Sequence, residues 1–110
     1  FYLLEMNKTE IAEFELATLE LLKTVMDPEI EINIVDLGLI YELYYNGAEK
    51  INIVMTFSTP ACPLGETIIS NIKETIKQKH PTFETVVDVV FQPLWNNSMV
   101  SEEGRKILGM

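Results

Sequence analysis

Three features of the 110-residue sequence predict an α+β fold, a small two-layer sandwich. A segment of helical period opens the chain, two period-two runs flank an Asn-Gly turn, and a second helical segment separates those runs from a third. The expected order is α-β-β-α-β-α, with a mixed three-stranded sheet carrying its helices mainly on one face.

Between Thr9 and Met26 there is no Gly or Pro, and Ile11, Phe14, Leu21, Leu22 and Val25 recur at three- and four-residue intervals, which predicts the first helix. Asn7 and Glu10 have the spacing of a capping pair, and Asp27-Pro28 is expected to stop the helix because a residue before proline avoids the helical region. Residues 29–38 read as an irregular connection with some extended character, punctuated by Pro28 and Gly38. Leu39, Tyr41, Leu43 and Tyr45 alternate with Ile40, Glu42 and Tyr44, giving a strand with one buried face. A five-residue connection beginning at Asn46-Gly47 returns the chain to a second strand, in which Ile51, Ile53, Met55 and Phe57 alternate with more polar positions.

Leu64, Ile68, Ile69, Ile72 and Ile76 then form a helical stripe. Pro63 suits its first turn, and Lys73, Lys77, Lys79 and His80 crowd toward the end that favours cations, before Pro81 closes it. Phe83, Thr85, Val87, Val89 and Phe91 make the third strand, reached by a right-handed parallel crossover if it shares the sheet with the second. Ser101 is the expected N-cap of a short last helix, and Gly109 its stop.

With 47% hydrophobic and 23% charged residues, the chain has the composition of one globular domain. At this length folding buries roughly 60 to 70% of the unfolded surface, enough for a core without disulfides or a structural metal. The domain is expected to run from residue 6 to 110, with residues 1–5 set aside as an artificial extension ahead of Met6. The net charge is −9, and residues 1–49 hold eleven acids against two bases. That balance argues against nucleic acid and anionic membranes as partners, since both need clustered cations. The acidic half serves solubility or docks a basic partner. One cysteine forms no intramolecular disulfide, which points to the reducing cytoplasm, and no apolar run approaches the roughly 18 residues that span a bilayer.

Cys62 is the most informative residue, because it precedes Pro63 at a helix start, where the dipole and free N–H groups stabilise a thiolate. Two readings stand side by side: a nucleophile or soft-metal ligand, or a small buried residue packed behind the turn. One thiol does not complete a zinc or iron-sulfur site, which takes about four ligands. His80, the only histidine, belongs to the far end of the same helix. Asp27, Glu29 and Asp36 cluster around the turn after the first helix and are suited to supplying oxygen ligands or moving protons. The simpler reading has Asp27 closing a turn with Pro28 and Asp36 bonding backbone N–H groups before Gly38. Thr59 either caps backbone groups beside Cys62 or orients a ligand. Trp95, with Pro93, Leu94 and Met99, folds over the core or anchors a partner.

Asp27-Pro28-Glu29 with Val35-Asp36-Leu37-Gly38-Leu39-Ile40-Tyr41, then Thr59 with Cys62-Pro63, then Pro93-Leu94-Trp95 with Met99, Ser101 and Leu108-Gly109, together resemble the SufT/PaaD-like metal-sulfur cluster biosynthetic family over residues 17 to 109. The resemblance implies a role in iron-sulfur cluster assembly, with Cys62 as the functional thiol and metal ligand. It also implies that Thr59 takes part in holding the cargo and that Asp27, Glu29 and Asp36 shape the site. Members of the family act as maturation factors or as domains beside cluster-carrier ATPases, and one branch serves a phenylacetyl-CoA oxygenase-type complex. This chain has no P-loop, so an ATPase partner would be a separate protein, and it lacks the cysteine-rich C-terminal segment of the phenylacetate branch.

The first expectation is therefore a non-enzymatic assembly factor that binds an iron-sulfur cluster or iron transiently through Cys62 and hands it to apoproteins or cluster carriers. A homodimer would bring two Cys62 thiols together, and a complex with a carrier would do so equally well. The alternative is a protein-binding adaptor in which the acidic half and Trp95 dock a client and Cys62 is structural. A thiol-dependent enzyme is the weakest fit, since no base stands at a useful spacing from Cys62.

Overall fold

The computed structural model of the chain describes residues 7–28, 30–59 and 64–109. Helix α1 covers Lys8–Leu22, and its start is the expected capping box: Asn7 Oδ1 accepts from the Glu10 amide at 2.8 Å, while Glu10 Oε1 accepts from the Asn7 amide at 3.1 Å. The helix ends four residues earlier than its apolar spacing suggested. Thr24 Oγ1 donates to the Leu21 carbonyl at 2.9 Å, a local bond that competes with further helical turns. Val25 is consequently buried from the connecting segment and not from the helix.

That early end frees residues for a feature the sequence did not signal. Strands β1, Met26–Asp27, and β2, Ile32–Asn33, pair antiparallel as a separate two-stranded sheet. Two-residue strands carry too little alternation to be read from a sequence. The main sheet follows as expected, with β3 at Ile40–Tyr45, β4 at Lys50–Met55 and β5 at Glu84–Val89. Its order is β3-β4-β5, the first pair antiparallel and the second parallel, with Ile53 opposite both Leu43 and Val87. Asn46 closes the hairpin by accepting from the Ala48 and Lys50 amides through Oδ1.

A bulge between Ile40 and Glu42 interrupts the β3-β4 register. It takes Tyr41 out of the simple alternation, so that Leu43 and Tyr45 face the core while the Tyr41 hydroxyl donates to the Pro93 carbonyl at 2.7 Å. Helix α2, Gly65–Lys79, makes the parallel crossover from β4 to β5. Its first turn therefore begins two residues after Pro63, with Leu64 as N-cap, a shift from the start that the proline suggested. Ile68, Ile72 and Ile76 have no exposed surface and meet Ile51, Ile53 and Met55, equally buried on β4. Burying each such side chain contributes roughly 1.5 to 3 kcal/mol. Helix α1 packs on α2 and β3, so both long helices lie on this inner face of the sheet.

After β5 the chain crosses a 3-10 turn at Asn97–Met99 and ends in α3, Glu102–Leu108, with Ser101 as N-cap and Gly109 in the left-handed region as C-cap. Among the described residues, no helix is long and apolar enough to cross a membrane.

Candidate functional site

The crossover geometry places the segment between β4 and α2 at the carboxyl end of one parallel strand and the amino end of the helix that follows. That is the position where parallel β-α-β units gather binding and catalytic groups, because strand ends and free helix N–H groups converge there. Cys62 belongs to this connection by sequence, and together with Pro63 and Glu29 it lies outside the described residues. Its described borders are Thr59, which is exposed, and Leu64, which is 37% exposed. Glu66 in the first turn of α2 adds a negative charge near the positive helix end.

Nothing in the sequence marked Gly65, at that end, for a role. A Cβ there would come within 2.7 Å of the Phe57 ring, so the helix start lies directly against the chain leaving β4. Phe57 also faces Phe91 just past β5, with ring centroids 6.4 Å apart. These two rings join the ends of the parallel strands beside the thiol-bearing connection. The signal in the sequence was a glycine at the first turn of a helix otherwise made of larger residues, which is hard to separate from an ordinary helix terminus.

Asp27 is 1% exposed, and its Oδ1 accepts from the Ile30 amide at 3.3 Å. The Glu31 amide donates to the Asp27 carbonyl at 2.7 Å, and Glu31 takes a φ of 65°. Asp27 thus closes the β1-β2 turn, as its place beside Pro28 suggested. The turn also reaches α2: Pro28 and Met26 line a groove of about 370 Å³ with Thr67 and Asn71 of the helix. Glu74 and Thr75 of the same helix also line it, so the turn lies alongside α2.

Asp36 faces elsewhere. Its carboxylate accepts from Asn33 Nδ2 at 2.7 Å and from Ser101 Oγ at 2.7 Å, and its carbonyl accepts from the Ser101 amide at 2.7 Å. Those side-chain partners replace the backbone N–H groups expected before Gly38. The hydrogen bond from Asn33 is the main reason its acidity is increased below the ordinary value of 3.8, with Ser101 and the Lys23 ammonium adding to the effect against partial burial.

Asp36 is one of four ties between the Val35–Tyr41 motif and the C-terminal segment. Trp95 Nε1 donates to the Leu37 carbonyl at 2.6 Å, Tyr41 reaches Pro93, and Gly38 lies directly against the Met99 backbone. Trp95 is half-buried against the core with its N–H engaged, the first of the two arrangements its sequence allowed. Leu94, 58% exposed, is the open apolar residue of that segment.

His80 caps the far end of α2 and stacks on Phe83, with centroids 4.6 Å apart, and tilts against Phe14 at 5.1 Å. At ~1.5 Å per residue the helix separates it from the amino end of α2 by roughly 22 Å, so it forms no pair with the thiol connection. Burial, with Lys79 beside it, lowers its basicity below the usual 6.5. A base held neutral in the fold stabilises above its unfolded value and loses that contribution as pH falls through its folded value. We expect wild type to lose thermal stability as the pH drops below 6.5 and His80→Phe to lose less, measured as Tm against pH; parallel curves would remove His80 as the cause.

Among the described residues no group of three or more His, Cys, Asp or Glu side chains could hold a metal ion. A small α+β domain with a βαβ crossover and a single-thiol connection between strand and helix is the class that fold and site define. A family model, described as iron-sulfur cluster assembly protein, matches residues 16–89, and the chain belongs to that family. It is 34% identical to an Fe-S protein maturation auxiliary factor of Porphyromonas gingivalis over 91% of this chain and 95% of the relative. It is 33% identical to the Fe-S protein maturation auxiliary factor SufT of Staphylococcus aureus, over 78% of this chain and 98% of that protein. The crystal structure of the DUF59 domain from Bacillus anthracis superposes with a TM-score of 0.89 at 30% identity, covering 94% of this chain and 99% of the other.

Proposed function

We propose that the protein is a non-enzymatic maturation factor of the cytoplasm that binds iron-sulfur units transiently through Cys62 and passes them to apoproteins. The observation that carries this reading is positional: the chain's only thiol belongs to the connection between β4 and α2, within the stretch that matches the assembly family. The relatives named as maturation auxiliary factors span nearly the same length, which supports the role for a chain of this size.

The cluster or iron is cargo. A thiolate at Cys62 supplies one of the roughly four ligands such a unit needs, so the others come from a partner chain, a second copy or a small thiol. Transfer is then ligand exchange: an incoming client thiolate displaces Cys62 from iron, Cys62 regains a proton, and no electron changes hands. Thr59 at the border of the segment is suited to orienting the cargo, and the Asp27–Glu29 turn to shaping the approach past α2. Partners are apoproteins or cluster carriers.

Anaerobic reconstitution with ferrous iron and sulfide tests the reading. Wild type is expected to gain sulfur-to-iron charge-transfer absorption together with the mass of a two-chain species, and Cys62→Ser to gain neither. Equal uptake by the two proteins would reject Cys62 as the ligand.

A further inference from the structure

The two long helices leave the other face of the three-stranded sheet open. Residues of opposite parity to the buried Leu43 and Ile53 and the half-buried Val87 point outward, and among them Tyr44, Val54 and Val90 lie on an apolar diagonal strip across the three strands, with Val86 beside it and Asn52 between Tyr44 and Val86. Tyr44 is 52% exposed at one end. At the other end the strip runs into a groove of about 610 Å³, in which Val54 and Val90 meet Ile40, Pro93 and Met99. The exposed Leu94 belongs to the segment that borders this groove.

The polar residues on the same face are mostly of one sign. Glu42, Glu84 and Asp88 are exposed outward positions on the two edge strands, while the outward positions of β4 are Lys50, Asn52 and Val54, with Lys50 opposite Glu84. Val54 has Glu42 and Asp88 as its register partners on the two edge strands, and an apolar position between two carboxylates is complementary to an apolar ridge flanked by cations. Width narrows the choice further. Three strands at about 4.8 Å spacing put the two edges roughly 10 Å apart, close to the diameter of one α-helix. A second copy of this chain fits poorly, because it would bring acidic edge against acidic edge and its net charge is −9.

We infer that this open face docks one amphipathic helix of a partner protein, its apolar ridge on the Tyr44–Val90 strip with one large side chain in the groove and Lys or Arg residues over Glu42, Glu84 and Asp88. Naming that partner as a client or carrier rests on the assembly reading, whereas the surface itself does not. The groove lies at the carboxyl end of β4, so a helix seated there holds its protein at the end of the sheet from which the β4-α2 connection departs.

The probe is a 14-residue amidated Leu/Lys amphipathic helix titrated into the isotope-labelled full chain and followed by backbone amide shifts. Shifts should concentrate at residues 42–44, 52–54 and 86–90. The double charge reversal Glu42→Lys with Asp88→Lys should weaken binding about tenfold. The control reversal Glu13→Lys with Glu20→Lys, equal in net charge and placed on exposed positions of α1, should leave it within about twofold. Equal weakening by the two double variants, or shifts centred on α1, would overturn the inference by showing attraction to net charge alone. Val54→Glu, in the middle of the strip, should abolish binding, and binding unaffected by it overturns the inference as well. Cys62→Ser protein should bind the peptide like wild type. Failure of docking in a protein that still takes up iron through Cys62 therefore removes the docking face, and the converse removes the assembly reading.

Discussion

Gly38→Ala is expected to destabilise the protein by about 3 to 5 kcal/mol, lowering Tm by on the order of 15 °C. Two independent costs combine. Gly38 has a φ of 79°, which a residue with a Cβ adopts at a penalty of roughly 1 to 2 kcal/mol. An added Cβ would also lie 2.2 Å from the Met99 carbonyl oxygen and 2.8 Å from its carbonyl carbon, and those are backbone atoms that no rotamer change moves aside. Relief requires the Pro93–Met99 segment to lift off the Val35–Tyr41 turn. Lifting it stretches the hydrogen bonds from Trp95 to Leu37 and from Tyr41 to Pro93. Thermal unfolding followed by Trp95 fluorescence reports both the stability and the lifting. A Tm within a few degrees of wild type, with unchanged emission, would show that the contact at Gly38 does not hold the segment down.

The same contact explains why part of the fold was legible and part was not. Period-two runs around Asn46-Gly47 and a stripe of isoleucines between two strands each reflect one-sided burial, and one-sided burial leaves a repeating signal. The hairpin and the caps at Asn7, Ser101 and Gly109 accordingly stand where the sequence put them, and the crossover helix does so apart from its later start. The β1-β2 ladder pairs only two residues with two, the early end of α1 goes with one local bond from Thr24, and the bulge at Tyr41 accompanies a contact with Pro93, 52 positions away. No periodicity records such contacts.

The site divides the same way. The place of the thiol-bearing connection in the chain was readable, because a lone cysteine beside a proline ahead of a helical stripe is a local pattern, and the crossover puts that connection at a strand end. The roles of the carboxylates were less so. Asp27, Glu29 and Asp36 looked like one cluster because they are near one another in sequence. The fold sets Pro28 against α2 while Asp27 closes its own turn, and it directs Asp36 toward the N-cap of α3. What the resemblance grouped as site-shaping residues thus includes two kinds: a turn lying beside the helix that follows the thiol, and a clamp that fixes the C-terminal segment.

Asp36 separates the two kinds by experiment. Removing its carboxylate with Asp36→Ala deletes the bonds from Asn33 Nδ2 and Ser101 Oγ and weakens the Ser101 cap, which holds the Gly104 amide at 3.0 Å. Charge-assisted hydrogen bonds of this type contribute about 1.5 to 3 kcal/mol each, and partial exposure brings the expected loss to about 2 to 3 kcal/mol in all. Asp36→Asn keeps the shape and loses the charge. Because the folded acidity of Asp36 is held below 3.8, its contribution is complete above that value and is lost as pH falls through the lower folded value. The stability gap between wild type and Asp36→Asn, read from urea unfolding at a series of pH values, should accordingly be constant from neutrality down to mildly acid pH and close below 3.8. Iron uptake per folded molecule should be unchanged in both variants, since the carboxylate is directed at α3. A variant that keeps wild-type stability yet loses iron uptake would place Asp36 at the cargo and not at the clamp. It would also require the C-terminal segment to be held by Trp95, Tyr41 and the Gly38–Met99 contact without it.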